Sequence, residues 1–341
     1  MRQCGRGAPR NATRRTRPKR TRHIFPKTNR VGEPIRNEHD VTASASEARN
    51  LSITSVLPAL VRAMRPRQWV KNILVLVAPF AGGRIGELAV LGNSAIAFVA
   101  FSLAASGVYL INDVRDVEAD RQHPKKKHRP IAAGIVPPAL AIAVAVIVLL
   151  GGMAVGLIAG QQLVIVLAVY VAVQLSYCFW LKHQPVIDIC IVASGFLLRG
   201  IAGGVASSIP LSQWFFLMTG FGSLFMVAGK RYAELAVAQR TGAQIRRSLH
   251  GYSTSYLRFV WGAAATLLIM SYALWAFQLR VTADSVWFAV SMAPFVVAVL
   301  RYAVDVDGGK AGEPEDIALG DRVLQLLGFA WVITLVLGIY T

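Results

Sequence analysis

Four oxygen-bearing side chains follow a long apolar stretch at helical spacing. Residues 88–111 are almost wholly apolar, and Asn112, Asp113, Asp116 and Asp120 come directly after them. Each residue of an α-helix advances about 100°, so these four side chains fall within roughly one 100° sector. Three carboxylates on one face repel each other unless a cation lies among them, and hard oxygen ligands suit Mg²⁺. The spacing therefore predicts a magnesium site, with Asn112 helping to orient the ligands. A solvated acidic helix end is the alternative, and the helix dipole disfavours it.

A loop rich in basic residues follows this motif. Pro124 and Pro130 interrupt any helix there, and five of the residues between them are basic or histidine. Cations beside a magnesium site can bind the phosphates that the metal also holds. We expect one or two of these side chains to bind phosphate, Lys126 and Arg129 being the preferred candidates. The alternative is ordinary positive charge at the inner face of a membrane protein.

A second polar group lies at the end of the sixth predicted span. It comprises Lys230, Arg231, Tyr232 and Glu234, with Lys230 and Glu234 at i and i+4 on one helical face. One interpretation is an intrahelical ion pair at a membrane surface. The other is a second half of the site, in which Glu234 is a further magnesium ligand and Lys230, Arg231 or Tyr232 contacts a phosphate. Its depth in the membrane, equal to that of the aspartate motif, favours the second interpretation.

Three of the polar residues inside predicted spans are candidates for binding substrate. Arg199 lies in the fifth span, and Lys71 and Asn72 lie at the start of the first. An ionisable residue within a span is costly and usually faces an internal cavity. We therefore expect Arg199 to line a cavity that binds substrate, or else to partner another polar residue of the spans. Lys71 and Asn72 are expected to reach the same cavity, although Lys71 could instead extend towards the membrane surface.

Composition places the chain among membrane proteins. Of its 341 residues 55% are hydrophobic and 16% are charged, and the apolar residues form long blocks. We expect an all-α, polytopic membrane protein with nine spans at residues 68–82, 88–111, 137–158, 161–181, 185–206, 211–229, 256–277, 284–302 and 322–340. Residues 1–56 are predicted to be a disordered basic tail, and residues 57–341 the catalytic domain. Half of the net charge of +18 lies in residues 1–50, which carry no aromatic platform, so the charge does not indicate nucleic-acid binding.

The basic residues also predict the orientation. With the N-terminus in the cytoplasm, the loops after spans two and six each carry six Lys or Arg residues, whereas the opposite loops carry one or none. The positive-inside rule therefore predicts a multi-pass protein of the inner (plasma) membrane with a cytoplasmic N-terminus. Both polar groups then face the cytoplasm. The oligomeric state stays open, a homo-oligomer being one option. The last cytoplasmic loop is acidic, with Asp305, Asp307, Glu313, Glu315 and Asp316, and is expected to be solvated, an acidic lid being the alternative.

The aspartate motif resembles the first aspartate motif of the UbiA prenyltransferase superfamily, and the resemblance extends over residues 57–341. Most members have a second motif with two aspartates after span six, where this chain has Lys230–Glu234. This departure, together with Arg65–Asn72, Arg129–Gly134 and Asp305–Gly309, is similar to the decaprenyl-phosphate phosphoribosyltransferase branch of the superfamily.

The resemblance implies a bundle of nine transmembrane helices with a cytoplasm-facing cavity. It also implies transfer of 5-phosphoribose from 5-phosphoribosyl 1-diphosphate to decaprenyl phosphate, with Mg²⁺, in the supply of arabinan precursors for a cell wall. The metal ligands would be Asp113, Asp116, Asp120 and Glu234, and the substrate would be bound by Lys71, Asn72, Lys126, Arg129, Arg199, Lys230, Arg231 and Tyr232. An aromatic prenyltransferase is one alternative, against which the missing aspartate pair argues. A transporter is the other, and the grouping of charges at one face disfavours it.

Overall fold

The computed structural model describes residues 53–242, 249–309, 317 and 320–340. Most of the predicted tail, together with Glu313, Glu315 and Asp316, lies outside these residues. All the regular structure in the described part of the chain is helical, as composition predicts. The long helices are α3 (Leu88–Arg115), α5 (Pro138–Ala159), α6 (Gln161–Phe179), α7 (Ile187–Ala206), α8 (Gln213–Thr241), α9 (Thr254–Thr282), α11 (Met292–Asp307) and α12 (Arg322–Tyr340). The short helices are α1 (Ile53–Ala63), α2 (Val77–Ala81), α4 (Val117–Gln122) and α10 (Trp287–Val290).

Three 3₁₀ segments, Pro66–Leu76, Lys126–His128 and Leu181–His183, connect these helices. The first of them continues into α2, and together they form the first predicted span. The other eight predicted spans each coincide with a long helix or, in the eighth, with the pair α10 and α11. Seven stretches of the described chain are long and apolar enough to cross a membrane. The all-α, polytopic prediction is therefore confirmed.

Two helices run further than the sequence predicts. The sixth span was expected to end at residue 229, but α8 continues to Thr241, so Lys230–Glu234 lies well inside the helix. The eighth was expected to end at 302, but α11 continues to Asp307. Asp305 is buried in that helix, so the prediction that it lies in a solvated loop is wrong. Both predicted spans were ended before charged side chains, because such side chains are costly in lipid. In the structure neighbouring helices pack around them.

Helix α3 is the central element of the bundle. In its most apolar stretch 61% of the residues are buried, against 11% in α12, which turns most of its surface outward. Helix α3 packs closely on α5, and a Cβ atom at Gly152 would lie 3.0 Å from the carbonyl oxygen of Ala100. Small residues at such contacts let helices in lipid approach until their backbones touch. The helix that carries the aspartate motif is thus held rigidly.

The first span also packs against a backbone at close range. A Cβ atom at Gly203 of α7 would lie 1.7 Å from the carbonyl oxygen of Val75, so only glycine fits there. The 3₁₀ segment Pro66–Leu76 packs against both α3 and α7. This contact fixes the depth of Asn72 and, seven residues earlier in the chain, of Arg65.

Candidate active site

The aspartate motif lies on a nearly continuous helix. Helix α3 ends at Arg115 and α4 begins at Val117, but Asp116 donates its backbone N–H to Asn112 at 3.0 Å, and Asp120 donates to Asp116 at 2.8 Å. The helical spacing of the motif is therefore kept across the break. Asp113 and Asp120 are buried and Asn112 and Asp116 half-buried, whereas Arg115 and Glu118 are exposed. The predicted common face is present.

The carboxylate of Asp113 is bound by two guanidinium groups. Its Oδ1 accepts hydrogen bonds from Nη2 of Arg65 at 2.5 Å and from Nη1 of Arg129 at 3.1 Å. The same Nη1 of Arg129 lies 2.6 Å from Oδ2 of Asp120 and so bridges two members of the motif. The guanidinium of Arg65 also lies over the ring of Tyr109, 4.8 Å from its centroid. Charge-assisted hydrogen bonds of this kind are among the stronger ones in proteins.

Two lysines complete what we call the aspartate-motif cluster, comprising Arg65, Asp113, Asp116, Asp120, Lys126, Arg129 and Lys182. Nζ of Lys126 lies 3.7 Å from Oδ1 of Asp120, and Lys182 donates a hydrogen bond to Asp116. The side chains of Asp113 and Asp120 are only 3% and 2% exposed, whereas the four cations are between 20% and 30% exposed. The carboxylates of Asp113 and Asp120 thus lie beneath the cations, whereas that of Asp116 is 27% exposed and borders solvent as they do.

The basic loop folds back over the motif because its backbone forms tight turns. Ala133 and Val136 donate to the carbonyl oxygens of Arg129 and Pro130 at 2.8 and 3.1 Å. Ile131 and Val136 are fully buried beside Leu110 of α3. Burial of these apolar side chains holds the loop in place, so that Lys126 and Arg129 reach Asp120 as the sequence suggests.

A second cluster surrounds Arg231, which is 93% buried on α8. Its Nε lies 3.4 Å from Oδ2 of Asp188, and its Nη1 lies 3.4 Å from Oε2 of Glu234. Tyr252 donates a hydrogen bond to Oδ1 of Asp188 and accepts one from the backbone N–H of Val186 at 2.6 Å. Burial and the bond to Asp188 raise the pKa of Tyr252, so this phenol stays protonated and donates. We call Asp188, Arg231, Glu234 and Tyr252 the Arg231 cluster.

The two clusters border successive residues at the end of α6. Tyr177 interacts electrostatically with Arg231 and Asp188. The next residue, Cys178, interacts in the same way with Lys182 and Asp116. Both charged groups therefore lie at the same end of the bundle, as the sequence predicts.

Two further candidates on α8 differ in their surroundings. The hydroxyl of Tyr232 accepts a hydrogen bond from Nη2 of Arg258 at 2.6 Å and donates one to Oδ1 of Asp307 at 3.0 Å. This side chain joins α8, α9 and α11 and lies outside both clusters. Lys230, two residues before Tyr232 in the chain, is half-buried.

Arg199 lies in a separate polar core deeper in the bundle. Its Nε donates to Oδ1 of Asn72 at 2.7 Å, and its Nη2 donates to the hydroxyl of Tyr170 at 3.3 Å. Asn72 is fully buried and donates to Ser102 at 2.9 Å. Arg199 thus has another polar residue of the spans as its partner, and its role in binding substrate stays a prediction. Lys71, next to Asn72, is half-buried.

Four residues of the clusters were absent from the sequence-based candidates: Arg65, Lys182, Asp188 and Tyr252. Arg65 entered the sequence analysis only through the segment Arg65–Asn72, and the other three were not singled out. Asp188 is in fact 1% exposed. A signal was present for it, because a carboxylate in the first turn of a span is unfavourable in lipid without a buried partner.

The carboxylates suit a hard divalent cation by their chemistry. Asp113, Asp116 and Asp120 offer only oxygen ligands from one helical face, and cations suitable for phosphate surround them. Among the described residues, however, no three acidic, histidine or cysteine side chains converge as a ready-made metal site. Cationic side chains instead hold these carboxylates.

A large apolar cavity of about 430 Å³ occupies the other half of the bundle. Its walls come from the first span and from α7, α8, α9, α11 and α12, and include Phe80, Phe215, Trp275, Trp331 and Ile339. Ile209 and Ser212, in the connection before α8, also line it. The cavity is shaped for an apolar ligand rather than for a phosphate.

Known proteins are similar to this chain in both sequence and fold. The decaprenyl-phosphate phosphoribosyltransferase of Mycobacterium tuberculosis is 60% identical over 284 residues, which cover 82% of this chain and 94% of that protein. The protein of the same name from Corynebacterium glutamicum is 50% identical over 312 residues, covering 90% and 94%.

A solved UbiA homolog from Archaeoglobus fulgidus, bound to GPP and Mg²⁺, has a TM-score of 0.62 at 16% identity, covering 82% of this chain and 98% of that chain. The model of the UbiA prenyltransferase family matches residues 73–319. This multi-pass membrane protein belongs to the UbiA prenyltransferase family.

Proposed function

We propose that this chain transfers 5-phosphoribose from 5-phosphoribosyl 1-diphosphate to decaprenyl phosphate, releasing diphosphate. The observation that carries the proposal is its identity of 50–60% to decaprenyl-phosphate phosphoribosyltransferases across 94% of their length. The product would be an early lipid-linked precursor of cell-wall arabinan. The site would face the cytoplasm from the plasma membrane, with the N-terminus on the same side.

The charges of the two clusters support a donor with several phosphates. The donor carries a diphosphate and a separate 5-phosphate, and so has more negative charge than a prenyl diphosphate. Arg231, in a position where many UbiA proteins are expected to have acidic ligands, supplies a buried cation. Arg65, Lys126, Arg129 and Lys182 supply four more at the aspartate motif. Opposite charges in this arrangement favour the phosphoribosyl donor over alternative donors.

The proposed chemistry assigns a role to each group of residues. Asp113, Asp116, Asp120 and Glu234 would hold Mg²⁺, with Asn112 orienting them; the bound metal would neutralise charge on the departing diphosphate. Lys126, Arg129, Lys230 and Arg231 would bind phosphate oxygens and fix the donor. An oxygen of the lipid phosphate forms a bond to ribosyl C1, and the bond from C1 to the diphosphate breaks, with inversion at C1. The attacking oxygen is already anionic, so positioning and charge stabilisation suffice without a general base.

The cavity of about 430 Å³ supports a lipid acceptor. Its apolar walls would take part of the polyprenyl chain, and the remainder would lie in the bilayer. Arg199, Asn72 and Lys71 lie on two of the elements that line this cavity, α7 and the first span, and would fix the depth of the acceptor.

The test uses purified protein in detergent with radiolabelled 5-phosphoribosyl 1-diphosphate and decaprenyl phosphate. We expect label in the lipid fraction, dependent on Mg²⁺ and abolished by a chelator. A parallel reaction with a prenyl diphosphate and an aromatic acid should give no product. Product from the second reaction alone would overturn the proposal in favour of an aromatic prenyltransferase. Absence of transfer in both reactions would reject the enzyme assignment.

A further inference from the structure

Arg65 binds Oδ1 of Asp113, a carboxylate oxygen that a divalent metal at the aspartate motif would also use. We infer that Arg65 is an exchangeable cation, which binds Asp113 in competition with the metal and binds the donor's diphosphate once the metal holds that carboxylate. The inference rests on the proposed function only in requiring that a metal and a diphosphate use this site.

The contacts of Asp113 identify which cation would leave. Its Oδ1 receives two hydrogen bonds, from Arg65 at 2.5 Å and from Arg129 at 3.1 Å. A carboxylate oxygen has about two lone pairs, so both are in use. Arg129 is also bound to Asp120 at 2.6 Å and stays anchored if it loses Asp113. Within the cluster Arg65 is paired with Asp113 alone, so a metal that takes this oxygen would leave Arg65, and not Arg129, without a carboxylate partner there.

The backbone at Arg65 is held in an unfavourable conformation, because its N–H donates to the carbonyl of Arg62 at 3.1 Å and its carbonyl accepts from the N–H of Gln68 at 2.9 Å. Arg65 has φ 57° and ψ 60°, the left-handed region that non-glycine residues avoid, and it precedes Pro66, which favours extended backbone. The segment is held on both sides of Arg65: the hydroxyl of Ser106 accepts from Nε1 of Trp69 at 3.1 Å and shares its hydrogen between the carbonyl oxygens of Ser102 at 2.7 Å and Met64 at 3.1 Å. Arg65 can therefore exchange partners while its segment stays on α3. At 27% exposure its guanidinium already borders solvent, from which a diphosphate would approach.

The charge balance predicts that metal and diphosphate bind together. Four cations face three carboxylates in the aspartate-motif cluster. A metal entering alone would meet this positive excess, whereas a metal entering with a diphosphate supplies the anion that the displaced cation needs. Removing Arg65 should therefore change the affinities for the two ligands in opposite directions, because it removes a competitor of the metal and a partner of the diphosphate.

The experiment measures each ligand separately on the full-length protein in detergent. Binding of Mn²⁺ alone is followed by the loss of the free Mn²⁺ signal in electron paramagnetic resonance. Binding of radiolabelled pyrophosphate is measured at saturating Mg²⁺. Arg65→Gln should bind Mn²⁺ about tenfold more tightly and pyrophosphate about tenfold more weakly than wild type, as for one charge-assisted hydrogen bond lost or gained. Arg67→Gln removes the same charge from an exposed position two residues away and should match wild type.

Other results would overturn the inference. Weaker binding of both ligands would make Arg65 a structural residue, and weaker pyrophosphate binding with unchanged Mn²⁺ affinity would make it a simple anion ligand. If Arg65→Gln does not fold, Arg65→Lys should show smaller changes of the same signs, and opposite signs would reject the exchange. Donor identity does not enter these measurements. If the wild-type protein does not transfer phosphoribose but these affinities change as expected, the proposed function is rejected and the inference about Arg65 stands.

Discussion

Two arginines of this bundle are held in opposite ways. Arg129, in the aspartate-motif cluster, is bound by two carboxylates and is 28% exposed. Arg199, in the deeper polar core, is 6% exposed and is held by neutral oxygens and by the faces of aromatic rings, at 5.1 Å from the ring centre of Tyr170. A cation paired with carboxylates near solvent can exchange them for ligand oxygens. A cation enclosed by neutral groups has no such alternative partner and joins helices instead.

Removing a carboxylate from the aspartate-motif cluster should have the largest effect. Asp120→Asn keeps the shape of the side chain but removes the charge that Arg129 and Lys126 face, together with a proposed metal ligand. We expect transfer of phosphoribose to lipid to fall by about a thousandfold, measured at saturating Mg²⁺ in purified membranes. Glu118→Gln, at a 76% exposed position of the same helix, is the matched control and should retain activity. Near-normal turnover of Asp120→Asn would remove this residue from the metal site.

The deeper core should respond in stability rather than in chemistry. Arg199→Met leaves the buried oxygen of Asn72 without its donor, and we expect it to lower the free energy of unfolding by about 2–4 kcal/mol. Thermal unfolding in detergent measures the loss. The KM for the donor, determined on the folded fraction, should stay near that of wild type. A large rise in KM with unchanged stability would break the comparison and make Arg199 a ligand of substrate.

Within the aspartate-motif cluster the weakest contact should give the smallest effect. Lys126 lies 3.7 Å from Asp120, whereas Arg129 lies at 2.6 Å. Lys126→Gln should therefore raise the KM for the donor only about threefold, as expected for a partly exposed ion pair. Lys127→Gln removes the same charge from an exposed neighbour and should leave the KM unchanged. Equal effects of the two variants would mean that general positive charge, not a contact of Lys126, attracts the donor.

The sequence predicts the parts of this structure that depend on local periodicity. Runs of apolar residues locate the nine segments, and helical spacing puts Asp113, Asp116 and Asp120 on one face. Pairing between elements leaves no such local pattern: Arg65 meets Asp113 across 48 positions of the chain, and Lys182 meets Asp116 across 66.

The ends of α8 and α11 were missed for a related reason. From sequence alone a predicted span is ended at a charged residue, because the partner that would stabilise the charge is not known. Arg231 and Tyr232 have partners on other helices, Asp188 and Arg258. The same limit applies to Arg199, whose neutral partners could not be chosen among many polar residues of the spans. Long-range contacts, rather than element types, are therefore what the structure adds.

The 3₁₀ conformation of Pro66–Leu76 increases the thickness of bilayer that the first segment can cross. A 3₁₀ helix rises about 2.0 Å per residue against about 1.5 Å in an α-helix, so these eleven residues extend over about 22 Å. The five residues of α2 add about 8 Å, which brings the total to about 30 Å, the depth of a hydrocarbon core. Sixteen residues wound as an α-helix would stop about 6 Å short. Stretching the coil thus allows the shortest of the nine segments to reach both faces of the bilayer.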